Sequence, residues 1–367
     1  MGFKFSGMVN DFSSLTLNGR LFGRSELIDF CRSEILRADI PGWECEICRF
    51  ILDWLSDETF IIIRTSGSTG IPKIIHQPKV AMINSALMTK RYFGLSERTN
   101  ALLCLPVSYI AGKMMIVRSF VSRMNLVTVE PSSNPLLQVK DKIDFAAITP
   151  FQLAHFMGTL NEKKIQTLIV GGGEIPYDLE LQCQKVTSNI FATYGMTETS
   201  SHIALRAVNG PNRSLFYEVL NNIKISVDQR NCLVVKAPDL TPELLTTNDV
   251  VAIKDSTHFE WLGRFDSVIN SGGIKIFPEQ VEKKLFPVIS RRFFLAGLPD
   301  GLLGEMVALF VEGEPFGPEE QENLGLAMAS LVTRFELPRR IVSIPTFDLS
   351  DAGKILKKLI VTNYLNG

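Results

Sequence analysis

The stretch Thr65-Ser66-Gly67-Ser68-Thr69-Gly70-Ile71-Pro72-Lys73 gathers hydroxyls, glycines and a closing lysine in one place. It follows the apolar run Phe60-Ile61-Ile62-Ile63, which reads as a buried strand. A helical pattern comes after it, with Val80, Ile83, Leu87 and Met88 at about helix spacing. Strand, hydroxyl- and glycine-rich loop, then a basic residue is an arrangement that can cradle phosphate. Glycine lets the backbone come close to an anion. Successive amides form a concave anion site to which hydroxyls add donors, and Lys73 brings a point charge. A surface turn has the same composition, so the loop alone does not decide. No Gly-Lys-Ser/Thr follows Gly67 at the Walker distance, which argues against an ordinary P-loop ATPase or kinase.

The elements that must position this loop follow from the patterning. From 60 to about 195, short apolar runs (Phe60–Ile63, Ala101–Leu105, Leu126–Val129, Phe145–Ile148, Thr167–Val170, Asn189–Ala192) alternate with helical patterns at 79–91, 113–123, 150–160 and 176–186. Such alternation predicts a mainly parallel, helix-covered sheet, whose ligands bind beyond the carboxyl ends of its strands. That gathers 65–73, Gly171-Gly172-Gly173-Glu174 and Tyr194-Gly195-Met196-Thr197-Glu198 at one end. Residues 1 to about 58 read as an adaptor with two helices. Residues 220–262 read as a small antiparallel β region, with Asp228-Gln229-Arg230-Asn231 as a hairpin turn. From 263 onward a smaller α+β unit follows.

Composition bounds the function. The chain has 367 residues, 46% apolar and 21% charged, an ordinary globular balance for two or three domains. A net charge of -1 argues against a general nucleic-acid binder. The longest apolar candidate, 101–112, contains Pro106 and is too short to span a bilayer, and the first residues do not form a signal peptide, so the expectation is a cytoplasmic protein without stable membrane insertion. Cys45 and Cys48 form a lone CxxC in a helical pattern with Trp43, Ile47, Ile51 and Leu55, which reads as a structural thiol pair. The histidines are not at metal-ligand spacing.

From Thr65 to Leu359 the ordered motifs resemble the adenylate-forming superfamily of acyl-CoA synthetases, luciferases and peptide-synthetase adenylation domains. The loop 65–73 is similar to that family's Thr-Ser-Gly-Ser/Thr-Thr-Gly-x-Pro-Lys signature, Gly171–Glu174 to its adenine loop, and Tyr194–Glu198 to its Tyr-Gly-x-Thr-Glu motif. Thr246-Thr247-Asn248-Asp249 resembles its Thr-Gly-Asp motif, with Asn248 in place of glycine. Gly263-Arg264-Phe265-Asp266 and Ser271-Gly272-Gly273 resemble its hinge region, Pro299-Asp300 with Gly304-Glu305 a C-terminal signature, and Gly353-Lys354-Ile355 its terminal motif.

The resemblance implies an α/β fold. A large N-terminal domain, 1–265, would hold mainly parallel helix-covered sheets and a small antiparallel β region, and a small α+β domain, 266–367, would be mobile. It implies ATP-dependent activation of a carboxylic acid as an acyl-adenylate, then thioester formation, with ATP, Mg²⁺ and CoA as cofactors or co-substrates. Both steps build negative charge on oxygen, so cations and oriented donors are the expected catalytic groups. Thr65, Ser66, Gly67, Ser68, Thr69, Gly70 and Lys73 would bind ATP, together with Gly173, Glu174, Tyr194, Asp249 and Arg264. Lys354, Glu198 and Thr197 would be catalytic, with Glu198 the Mg²⁺ ligand. Asp266 would be the hinge, and Ser271, Gly272 and Gly273 would line the CoA channel. Only 64 residues precede the loop, fewer than in full-length members, which predicts a trimmed scaffold with its site intact.

Compactness, the segment Leu105–Gly112 and the run Tyr194–His202 are most similar to the o-succinylbenzoate–CoA ligases of menaquinone biosynthesis. Tyr109 and Ser200 would then border the acid. A diacid needs one carboxylate activated and the other held by a cation. Lys113 is the expected holder, ahead of Arg118, which lies five residues on and on another helix face. The alternatives are another aryl- or fatty-acyl-CoA ligase, a stand-alone adenylation module loading a carrier protein, and a noncatalytic nucleotide-binding protein. The expected partners are the acid, ATP and CoA. A homodimer is left open.

Overall fold

The computed structural model describes residues 12–65, 73–163, 165–349 and 355–366, with the side chains of residues 64, 65, 73 and 161–163 outside that description. The expectations for Ser66, Gly67, Ser68, Thr69, Gly70 and Lys354, and for the side chains of Thr65 and Lys73, therefore lie outside the described residues. The chain divides into two compact units. One runs to Ile225 and also takes 235–245 and 255–258; the other takes 226–234, 246–254 and the chain from Phe259 onward.

In the first unit the strands lie in the order Tyr217–Val219, His202–Ala207, Asn189–Gly195, Thr167–Val170, Phe145–Ile148, Asn100–Leu103, Asn125–Thr128, Leu15–Leu17 and Arg20–Phe22. The run from Asn189–Gly195 to Asn125–Thr128 is parallel throughout. Phe145–Ile148 is buried at every residue, as a strand covered on both faces must be. Leu102, Ala146, Leu168 and Ile190 from the strands pack with Leu153, Phe156 and Leu160 of helix Pro150–Lys163 and Leu179 of helix Tyr177–Cys183. Each fully buried Leu or Phe there contributes roughly 1.5–3 kcal/mol. The α/β class anticipated from the alternation is the one observed.

One expected sheet strand lies elsewhere. Phe60–Thr65 pairs antiparallel with Lys73–Pro78 in a separate two-stranded ribbon. The chain returning from the loop presents Ile75 beside Ile63 and Gln77 beside Ile61, so one face of the ribbon is largely buried while Ile62 and Ile74 stay exposed. Helix Lys79–Phe93 follows and ends at Gly94, whose φ of 67° is the left-handed helix stop that glycine permits.

The second unit is built on a five-stranded sheet of Ile269–Ser271, Ile274–Ile276, Phe293–Asp300, Gly304–Glu312 and Arg340–Ile344. Period-two alternation sends neighbouring residues to opposite faces. Leu295, Leu309 and Ile269 pack with Val281 and Leu285 of helix Pro278–Leu285 and Met328 of helix Pro318–Ala329. Phe294, Phe310 and Val342 pack with Phe347 and with Ile360 of helix Lys357–Asn366.

In the first unit, two cations close the carbonyl end of helix Gly42–Leu55, where backbone acceptors have no partner within the helix. Arg24 donates to the Leu55 carbonyl, and Lys79 Nζ donates to the Ser56 carbonyl at 2.8 Å. Lys79 is 1% exposed, and burial pushes its pKa down to about 8. Between that value and the ordinary lysine pKa of about 10.4 the unfolded chain binds the extra proton, so stability rises with pH. In urea unfolding, wild type should gain roughly 3 kcal/mol more than Lys79→Met between pH 7.5 and pH 10.5; parallel pH profiles would show that Lys79 is not the group responsible.

Candidate active site

The segment Tyr194–Glu198 leaves the sheet through a close backbone approach. A Cβ built on Gly195 would lie 2.5 Å from the His202 Cα and 2.8 Å from the Ser201 carbonyl carbon. Glycine is required there for strands Asn189–Gly195 and His202–Ala207 to meet, and their register shifts between His202 and Ala204. The chain between them forms a single 3-10 turn, Thr197–Thr199. Thr199 Oγ1 donates to the Ser201 carbonyl at 2.7 Å and accepts from the Met196 amide at 3.2 Å. Ser200 is held at a φ of 63°, unusual for a residue with a side chain. Thr197 is half-buried and Glu198 is exposed at this turn.

Gln77 Nε2 donates to Ser200 Oγ at 2.7 Å, and both residues are buried. The strand returning from the hydroxyl-rich loop is thus tied to the turn that carries Thr197 and Glu198. The Gly171–Glu174 segment is brought to the same place. Gly171 donates its amide to the Ile148 carbonyl at 3.0 Å, and Thr193 Oγ1 donates to the Val170 carbonyl at 3.1 Å, which puts Gly173 and Glu174 at the carboxyl end beside Tyr194. The Tyr194 ring meets Tyr217 edge-on at 5.9 Å, and the Arg206 guanidinium lies 5.6 Å from the Tyr217 ring while pairing with buried Glu180.

Behind Ser200 is a buried cation. Arg118, on helix Ile110–Ser122, is 2% exposed and donates to Ser201 Oγ at 2.5 Å, with His202 Nδ1 at 3.5 Å and Thr89 Oγ1 at 3.4 Å. No carboxylate pairs with it among the described residues. Burial lowers its pKa to about 10, and burial together with the neighbouring guanidinium holds His202 well below the usual histidine range. His202 is therefore neutral, and with Nδ1 facing the guanidinium its Nε2 is assigned the proton and donates to Thr89 Oγ1 at 3.2 Å.

Lys113, the residue expected to hold a second carboxylate, points another way. Its Nζ donates to the Val107 carbonyl at 2.5 Å and lies 5.1 Å from the Phe50 ring on helix Gly42–Leu55. The structure brings Arg118, not Lys113, to the Ser200–His202 segment. Tyr109 precedes the helix and is 58% exposed. Gly112 is fixed by sterics, since a Cβ there would lie 2.9 Å from the Leu105 carbonyl oxygen.

In the second unit, Asp249 and Arg264 are paired across the ladder of strands Leu244–Ile253 and His258–Arg264. Trp261 Nε1 donates to Asp249 Oδ1 at 3.2 Å, and Arg264 approaches the same oxygen at 3.7 Å. Asn248, which stands where the family motif has glycine, is not among the residues with left-handed backbone, so this position does not require glycine. Asp266 accepts from Arg264 Nε and from Lys358 Nζ, each at 3.1 Å. Burial works against its charge, but those two donors hold its carboxyl below the usual range. Ser271, Gly272 and Gly273 form the hairpin between Ile269–Ser271 and Ile274–Ile276, with φ of 58° and 82° at the glycines.

A family profile for AMP-binding enzymes matches residues 52–222. A solved structure described as an acyl-CoA synthetase (AMP-forming)/AMP-acid ligase II-like protein, from Dyadobacter fermentans, is 32% identical and covers 91% of this chain and 97% of that one, with a TM-score of 0.60. The chain belongs to the AMP-forming acyl-CoA synthetases. A 2-succinylbenzoate–CoA ligase of Lactococcus lactis is 25% identical over 338 residues, 86% of this synthetase and 74% of the relative. The O-succinylbenzoate Coenzyme A Synthetase of Bacillus subtilis, in complex with ATP and magnesium ion, shares the fold with a TM-score of 0.74 over 95% of this chain and 98% of that one, at 16% identity.

Among the described residues no group of three or more His, Cys, Asp or Glu side chains could hold a metal ion. A single exposed carboxylate, Glu198, fits a Mg²⁺ that arrives on nucleotide phosphates and keeps most of its other ligands. Gln77 and Trp261 had no motif to mark them, and Ser201 and His202 closed the Tyr194–His202 run without a role of their own. Arg118 had a signal, a lone arginine inside the apolar helix Ile110–Ser122. Gly195→Ala in this synthetase should destabilise the fold by about 1–3 kcal/mol through overpacking. A urea midpoint equal to wild type would show that the 195–202 backbone has room that its geometry denies.

Proposed function

We propose that this synthetase is an o-succinylbenzoate–CoA ligase, which joins the acid to ATP as an acyl-adenylate with release of pyrophosphate and then passes the acyl group to CoA. The observation that carries the substrate is Arg118. A guanidinium taken out of water without a carboxylate is costly. It holds the half-buried Ser201 hydroxyl directly after the Thr197–Ser200 turn. A second carboxylate meeting Ser201 there would be stabilised at short range by a charge in low dielectric. The names of the curated relatives support the same acid.

In this reading Thr65–Gly70 and Lys73 grip the ATP phosphates, Tyr194 with Gly173 and Glu174 faces adenine, and Asp249 with Arg264 takes the ribose. Glu198 holds Mg²⁺, which neutralises charge on the phosphates when bound, and Thr197 donates to phosphate. Lys354 stabilises the charge that develops between carboxylate and α-phosphate. The region 266–367 acts as a mobile domain turning at Asp266, so that Lys354 serves the first step and Ser271–Gly273 the second.

Pyrophosphate release with a panel of acids, followed by thioester detection with CoA, tests the assignment. Wild type should prefer o-succinylbenzoate over benzoate-like monoacids. Adenylation without CoA thioester would point instead to a carrier-protein acceptor. Arg118→Lys should raise the KM for o-succinylbenzoate about tenfold or more, the scale of a lost charged hydrogen bond, while leaving monoacids and ATP nearly unaffected. Lys113→Ala should spare that selectivity, and the reverse pattern would return the role to Lys113. Lys354→Ala should slow acyl-adenylate formation by about 10²–10³ and leave transfer from preformed acyl-adenylate to CoA largely intact. Equal loss in both half-reactions would exclude the two-pose assignment.

A further inference from the structure

The Thr246–Asp249 segment departs from its family motif at Asn248, and Arg230 meets that departure. Arg230 lies in the hairpin turn that follows strand Lys224–Val227, and Asp228 fixes it from one side. Asp228 Oδ2 accepts from Arg230 Nε at 2.8 Å. Asp228 Oδ1 accepts the backbone amides of Arg230 at 2.8 Å and Cys232 at 2.9 Å, so the carboxylate itself has little freedom. A guanidinium is a rigid planar fork, and fixing one edge aims the other. The aimed edge reaches the motif. Arg230 Nη1 donates to Asn248 Oδ1 at 3.0 Å, and Nη2 donates to the Thr247 carbonyl at 3.2 Å. The guanidinium carbon also lies 5.0 Å from the centre of the Phe265 ring, in the hinge motif, and Lys275 approaches the same ring at 5.8 Å.

We propose that Arg230 is a positioning residue for the nucleotide ribose. By clamping Thr247 and Asn248, it holds the backbone that presents the Asp249 carboxylate, at a site where this chain carries asparagine in place of glycine. The inference rests on the reading of Asp249 as the ribose acceptor. Three other bonds bear on the same segment. Thr247 Oγ1 accepts the Asp249 amide at 3.1 Å and donates to the Leu233 carbonyl at 2.9 Å, and Trp261 holds one carboxylate oxygen. From one guanidinium Arg230 holds the Thr247 carbonyl and the Asn248 side chain, groups that those three bonds do not touch. Capping of its own hairpin would use the Nε edge alone and would leave Nη1 and Nη2 in solvent.

The test is steady-state kinetics of pyrophosphate release by the full chain, with ATP and acid varied separately, for Arg230→Ala, Asn248→Gly, the double variant and Asp249→Ala. Thermal melts of the same proteins check folding. Arg230→Ala should raise the KM for ATP about tenfold, with kcat and the KM for acid within about twofold of wild type. Its effect should be smaller in the Asn248→Gly background, because one of its two bonds is already gone. A general loss of structure would lower kcat and the melting temperature without this split. Additive effects overturn the proposal, as does an unchanged KM for ATP in Arg230→Ala when Asp249→Ala raises it. An unchanged KM for ATP in Asp249→Ala overturns the ribose reading and the proposal with it.

Discussion

The backbone between Gly195 and His202 has no space for a side chain at its start, and the rest of the site inherits that constraint. Because strand Asn189–Gly195 comes within contact of the Ser201 backbone, the intervening residues fold into one tight turn with Ser200 in a left-handed conformation. The direction of Tyr194, Thr197, Glu198, Ser200 and Ser201 follows from it. Gln77 and Thr199 hold the turn with hydrogen bonds, and Arg118 braces it from behind. A strained residue of this kind persists only where its surroundings over-determine it, as they do here.

The buried and half-buried charges of the first unit serve different ends, and their partners separate them. Lys79 and Arg24 end on backbone carbonyls at the close of helix Gly42–Leu55, and Arg206 is matched by Glu180. Those contacts complete within the fold. Arg118 ends on neutral groups, a hydroxyl, an imidazole and a second hydroxyl. Its desolvation is only partly offset, which is the electrostatic situation a bound anion relieves.

Much of this was legible in the chain. Short runs such as Phe145–Ile148 and Thr167–Val170, bounded by helix patterns, have little alternative to buried parallel strands. Lys73–Pro78 was not legible, because Ile74, His76 and Pro78 face outward and the segment reads as a loop leading into a helix. Lys113 and Arg118 could be told apart in facing but not in destination, since that depends on which neighbour covers each helix face. The contacts that build the site join residues far apart in sequence, 123 positions for Gln77 and Ser200 and 83 for Arg118 and Ser201. No local pattern encodes such a meeting.

Among the described residues the ribbon of Phe60–Thr65 and Lys73–Pro78 has no third strand. Its ladder runs from Phe60 opposite Pro78 to Thr65 opposite Lys73, so the two ends of the intervening loop are pinned side by side. A pair of strands bonded only to each other can twist without breaking a bond to the main sheet, while the ladder keeps it stiff along its length. Any such twist would bear on the site at Gln77, whose side chain meets Ser200. The register of the parallel strands would not have to change with it, since the ribbon and those strands belong to separate sheets.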